Sequence, residues 1–270
     1  MLSALFLYPE TSAHTILKRK ARALKKINPT RNYHTEYGSL YQPLSIRLTT
    51  SLTRPIRLLA TQPIIQLISF YLAYNYGLLF IVLSTFATLW TSYYNQSITT
   101  SGLHYISLVI GYTIAAQGAA PITDRLWVYL KSRHGGETQP EYRIPLMIPG
   151  AVLIPTGLFL YGFTAEARVH WIVPDIGILI FGCGIIVGTQ AMQAYVIDSF
   201  PKYVASASAA SQFLRNLAGF AFPIFAPSLY LVLGYGWGNA LLAFLFLAIG
   251  VPAPLILWKF GAKLRGMGKL

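Results

Sequence analysis

Lysine and arginine fall on alternate connections between long apolar stretches, and this distribution constrains the chain more than any motif within it. Six stretches are long enough to cross a bilayer: residues 58–90, 102–120, 144–163, 171–197, 205–233 and 238–260. A helical crossing needs about 20 mostly apolar residues. The segments before the first stretch, after the second and after the last are rich in Lys and Arg. The connections after the first and fifth have neither, and the one after the third has only Arg168. Basic connections stay on the cytosolic side, so the asymmetry predicts a multi-pass helical membrane protein with both termini in the cytosol.

Composition agrees. Of the residues, 54% are hydrophobic and 11% charged, against about 25% charged in a soluble domain. The net charge of +13 raises nucleic acid as a partner. The basic residues flank spans, however, and do not line a polar face, so attraction to anionic lipids of the inner leaflet explains them and nucleic acid is not expected. The single cysteine, Cys183, lies inside a span and has no intrachain disulfide partner. The opening MLSALFLYP is short, lacks a basic leading region and has no small-residue cleavage site. It reads as the end of a missing transmembrane helix, not as a secretory signal.

Three regions follow: a cytosolic basic segment over 1–57, a transmembrane bundle over 58–262 and a cytosolic basic tail over 263–270. Within the first, Pro9 to Ser12 has helix-start chemistry, and Leu17, Ala21 and Leu24 recur at helical spacing among Lys18, Arg19, Lys20, Arg22, Lys25 and Lys26. That pattern fits a basic amphipathic helix on the membrane surface or a solvated charged linker. Residues 28–53 are polar, Tyr-rich and aperiodic, and read as a loop. The first stretch is too long for one straight crossing, at about 50 Å. Pro63 is expected to bend it, with Asn75 and Gly77 loosening its middle. Asn95-Gln96-Ser97 matches the N-glycosylation pattern. Gly184 and Gly188 form a small-xxx-small pair suited to close helix approach.

No soluble-type catalytic set can be assembled. His14, His34, His104, His134 and His170 are scattered over loops and span ends, and no two have metal-ligand spacing on one helix. Neither a metal nor a cofactor is expected, and an enzyme is the weakest class of reading. Polar groups inside spans are the better lead, because they are costly in lipid and tend to face a bundle interior. The first stretch holds Gln62, Gln66, Tyr71, Tyr74, Asn75 and Tyr76. Gln62 and Gln66 are four apart, as are Tyr71 and Asn75, so each pair shares a helix side. The fourth holds Gln190 and Gln193. Such stripes either line a substrate cavity or join helices by hydrogen bonds. Asp198 closes the fourth stretch, and Arg215 lies more than ten residues into the helix after Pro201. The two form a buried pair or a latch between adjacent helices, or Arg215 faces a vestibule.

Four blocks in order carry a family resemblance: PETSAHTILKRKARAL, RPIRLLATQPIIQLISFYLAYNYGLLF, PEYRIPLMIPGAVLIPTGLFLYGFT and YVIDSFPKYVASASAASQFLRNLAGFAFPIFAP. Together they resemble the second half of fungal major facilitator transporters, most closely the twelve-span drug:proton antiporters that include polyamine and multidrug exporters. The resemblance implies an all-α membrane protein, a six-transmembrane-helix bundle that forms half of a major facilitator fold. Its helices would be the seventh to twelfth, preceded by the end of the sixth. It implies a small-molecule substrate, amphipathic or cationic, exported in exchange for protons at the plasma membrane. The cavity would be flanked by the first and fourth helices here, which gives Tyr71, Tyr74, Asn75, Gln190 and Gln193 as its candidates. Asp124 and Arg125 resemble the family's charged inner-loop motif, although their spacing from Gly118 departs from it. They join Asp198 and Arg215 as latch or gating candidates. The resemblance leaves the first six helices unaccounted for. The expected partners are therefore the bilayer, and a missing N-terminal half or a second copy. The alternative is a truncated half that does not transport.

Overall fold

The computed structural model describes residues 13–28, 33 and 44–267. The chain divides into two compact units, Met1–Leu52 and Thr53–Leu270. In the first unit, α1 (Ala13–Ile27) is a helix with Lys25 and Lys26 in its last turn, where cations suit the carbonyl end of the dipole. Pro9 to Ser12 lie outside the described residues. Helix α2 (Leu44–Thr61) corrects the loop reading of the segment up to residue 53. Its periodicity is masked by hydroxyl residues, but Thr50 and Thr61 return their hydroxyls to the carbonyls of Ile46 and Arg57 at 2.7 and 2.8 Å. Such internal bonding lets polar residues sit within a helix.

The second unit is a bundle. A break at Gln62, in extended geometry, separates α2 from α3 (Pro63–Thr88). Pro63 cannot accept a helical residue before it without a clash, yet it suits the first turn of the helix that follows. The helix then runs unbroken through Asn75 and Gly77, so no loosening occurs there. Gly77 instead lets Phe222 close in: a Cβ at that position would lie 2.4 Å from its ring. A π-helical turn, Leu89–Tyr93, ends the crossing. Next come α4 (Ile98–Leu103), α5 (Tyr105–Arg133), a 3-10 turn (Pro140–Leu146), α6 (Met147–Glu166), α7 (Ile172–Ser199), α8 (Val204–Gly250) and α9 (Pro252–Met267).

Five helical stretches are apolar and long enough to span a bilayer, and the last of them covers 64 residues. At about 1.5 Å per residue that is far longer than one crossing. Gly234 (φ 70°, ψ 176°) breaks it in backbone geometry open essentially to glycine alone. The legs 204–233 and 235–250 fold back on each other. Tyr230 stacks on Tyr235 at 4.5 Å, and its hydroxyl donates to the Asn239 side chain at 3.0 Å. Tyr74 packs against both Phe222 and Phe246, residues equally far from Gly234 along the two legs. The result is six crossings, the last continuing through α9.

Helix α3 packs on both legs of α8, α6 on α7 and α8, and α5 on α7. Glycine sets the α6–α7 contact. A Cβ on Gly157 would sit 2.4 Å from the Phe181 backbone nitrogen, and one on Gly184 would sit 2.8 Å from that of Ile154. Backbones at this range gain dispersion contacts that lipid cannot replace. Helix α5 is the least covered crossing, with Ile106, Val109, Ile110 and Ile114 exposed. The first leg of α8 exposes Phe213, Leu217, Phe220 and Ile224.

Candidate functional site

Helix α3 has two unlike sides. Tyr71 and Asn75 are buried, while Gln66, Phe70 and Ser84 are exposed. The expected shared side for Gln62 and Gln66 does not exist, because the break at Gln62 interrupts the helical period. Gln62 is fully buried, and Gln66 turns its amide back to the Ala60 carbonyl at 3.1 Å.

The buried side of α3 meets α7. A Cβ on Gly188 would lie 2.6 Å from the Tyr71 hydroxyl, and the Asn75 amide donates to the Thr189 hydroxyl at 3.4 Å. Tyr74 points elsewhere: its hydroxyl donates to the Leu242 carbonyl at 3.0 Å, which ties α3 to the last crossing. On α7, Gln190 and Gln193 are half-buried, and Cys183, Val187, Gln190 and Ala194 recur along one partly open strip. Thus Tyr71 and Asn75 come together with the Gly188–Gln190 turn. Tyr74 does not join them.

Asp198 and Arg215 do not pair. Asp198 accepts from Arg143 Nε at 2.9 Å, and Arg143 also donates to Asp124 at 3.4 Å. Arg143, in the 3-10 turn before α6, is therefore the hub that joins α5 to α7. It sits opposite both carboxylates because Pro140 starts that turn at the same end of the bundle. Arg125 is exposed. A second link at this end joins Arg265 of α9 to buried Glu141, with the Tyr195 hydroxyl 3.3 Å from the same guanidinium.

Arg215 instead lies over the Tyr76 ring, 4.4 Å from its centroid. Its Nε is buried without a hydrogen-bond partner. The position is about 17 Å along α8 from Val204, deeper than the side chain can reach back. A bare guanidinium at a helix centre costs about 2.5–3.5 kcal/mol, and a cation–π contact returns about 0.5–2 kcal/mol. The ring alone does not balance the charge.

At the charge-poor end, His104 bridges two groups. Its Nδ1 is 2.7 Å from Asp175 and its Nε2 is 2.7 Å from the Gln96 side-chain oxygen, while its ring stacks on Trp90 at 3.7 Å. Beside it, burial and the Asp175 carboxylate push the Tyr94 hydroxyl above its ordinary range. It stays protonated and donates to the Val169 carbonyl at 3.0 Å. Sequence reasoning saw these groups only as scattered span ends, because 71 residues separate His104 from Asp175. Among the described residues no cluster of His, Cys, Asp and Glu could hold a metal ion.

Comparison with known proteins gives this arrangement a context. A family model described as Major Facilitator Superfamily matches residues 1–223. An uncharacterized transporter of Schizosaccharomyces pombe is 43% identical over 98% of this chain and 54% of its own length. A probable efflux pump, mfs2 of Aspergillus flavus, is 44% identical over 96% of this chain and 62% of its own length. The efflux pump vrtL of Penicillium aethiopicum is 40% identical over 98% of this chain and 52% of its own length. The chain thus spans about half the length of the curated relatives it matches. No solved structure matches it.

Proposed function

The chain belongs to the Major Facilitator Superfamily, an integral membrane family of transporters and not of enzymes, and from that premise we propose that it forms the C-terminal half of an alternating-access exporter of small amphipathic solutes. Proton exchange drives it, at the plasma membrane, with both termini cytosolic. One observation carries the reading. The first and fourth crossings touch through Tyr71, Asn75 and Thr189, and the adjoining strip with Gln190 stays partly open. In transporters of this superfamily the substrate site lies at the interface between two six-helix bundles, and polar groups left on a lipid-facing helix would be costly. The exposed apolar residues of α5 and the first leg of α8 are the surface on which a second bundle would close.

Alone, the chain should not transport, since rocking needs two bundles. Reconstitution with a pH gradient and a fluorescent dye, with the mass measured in detergent, tests this. Transport should appear only when a companion half is supplied. Transport by a shown monomer sinks the two-bundle reading. Transport by a dimer makes the companion a second copy. A chain that binds its companion yet never moves solute is the truncated, non-transporting half. Topology is tested separately. An impermeant thiol reagent on intact cells should label Ser97→Cys and spare Ser132→Cys, and the reverse result overturns the orientation.

A further inference from the structure

Resting on the transporter reading, we propose that Arg215 is an anion-binding post, and that it takes the carboxylate of an amphipathic solute. The argument begins with the supply of negative charge. The chain has eight Asp and Glu residues. Glu10 and Glu36 lie outside the described residues. Asp124 and Asp198 are held by Arg143, Glu141 by Arg265, and Asp175 by His104. Glu166 accepts the backbone N–H groups of Tyr235 and Gly236 at 2.7 and 3.3 Å. Glu137 is exposed in the connection that follows α5. Among the described residues, none forms an ion pair with Arg215. An arginine embedded this deeply in a span faces a partner anion or water-filled space.

The surroundings define what that partner is. The Tyr76 ring of α3 lies under the guanidinium. Gly219, one turn on from Arg215, allows this: a Cβ there would lie 3.1 Å from the Tyr76 ring and 3.4 Å from that of Phe80. A planar fork of N–H donors matches the two oxygens of a carboxylate. The rings of Tyr76 and Phe80, packed at 4.9 Å, offer an apolar wall to the rest of an amphipathic molecule. Stacking on Tyr76 holds the guanidinium plane and leaves its edge available, a pairing suited to arginine and not to lysine.

The test uses the purified chain in nanodiscs of zwitterionic lipid. A dansyl-labelled long-chain carboxylate is titrated alongside its methyl ester and the matching amine. The carboxylate should bind about tenfold tighter than either, as a charge-assisted pair requires. Arg215→Gln should erase that preference, and Arg215→Lys should keep part of it. Arg215→Lys retains an N–H donor head on a similar stem, so it remains informative if Arg215→Gln fails to fold: the preference should fall about threefold, because the planar fork is lost. Equal affinity for the three probes, or a preference that survives Arg215→Gln, overturns the proposal. Repeating the titration with the first half of a relative assembled on the chain separates two sources of the carboxylate. Persistent Arg215-dependent binding assigns it to the solute. Its disappearance assigns the carboxylate to a side chain of the companion and overturns the solute site. Carboxylate binding by an assembled pair that never transports would sink only the exporter reading, and transport by that pair without carboxylate preference would sink only this one.

Discussion

The two ends of the bundle are fastened by different chemistry. At the basic end the links are arginine–carboxylate pairs: Arg143 with Asp124 and Asp198, and Arg265 with Glu141. At the charge-poor end they are a stacked histidine held between Asp175 and Gln96 and a glutamate capping the start of the last crossing. Most of the first group is wet. The Asp124 side chain is 78% exposed and that of Asp198 is 34% exposed. Pairs of that kind contribute about 0–1 kcal/mol each, so they can open and re-form. In the second group the histidine is dry, with the His104 side chain 6% exposed, and opening its contacts would strand buried polar atoms, whereas Glu166 is exposed. The proposed alternating-access half needs one end that yields readily. The wet end is the one equipped to do so, and Glu141 is its dry exception.

That contrast can be broken most forcefully at the exception. Glu141→Ala leaves Arg265 without its carboxylate in a part-buried setting and should cost about 3 kcal/mol, read as a fall in stability by denaturant titration in detergent. A loss below about 1 kcal/mol would place Glu141 with the wet pairs. Asp175→Ala is the matching experiment at the charge-poor end. It strips a buried partner from His104 and should cost about 2 kcal/mol. A negligible change there would mean that the stacking on Trp90 holds the histidine unaided. Glu166→Gln keeps the shape of the cap while removing its charge at a helix N-terminus. A loss of about 1 kcal/mol is expected, with faster hydrogen exchange at the Tyr235 and Gly236 amides. The smallest effect belongs to Asp124→Asn, at under about 0.5 kcal/mol. A larger penalty would show that Arg143 cannot rely on Asp198 alone.

How much of this was legible in the sequence depends on the range of the interaction. Apolar length and basic-residue placement specify six crossings, and the break at Pro63 follows from proline's own geometry. The tight passage at Gly184 and Gly188 is likewise local in origin. Partner choice across helices is not. Asp198 and Arg215 stand close in sequence, but α7 and α8 present them in different directions, and Arg143, 55 residues away, takes the carboxylate. Gln62 and Gln66 have the spacing of one helix side, which a single extended residue at 62 destroys. In the candidate cavity, Tyr71 and Asn75 were identifiable as polar groups in a span. That Tyr74 turns to Leu242 instead is a matter of how two helices cross, and helical periodicity does not encode it.

The turn at Gly234 has a consequence for how this protein can vary. Tyr235 already belongs to the next helix, so the connection contains no spare residue. One added residue would rotate everything after it by about 100°. Asn239, Leu242 and Phe246, which now face Tyr230, Tyr74 and Tyr71, would swing out of register together. Other connections can absorb insertions, and the stretch from His134 to Gln139 is long, polar and open enough to carry an epitope tag. The hairpin at Gly234 cannot. Its length is fixed to the residue, and a library of single-residue insertions along the chain should show its sharpest gap there.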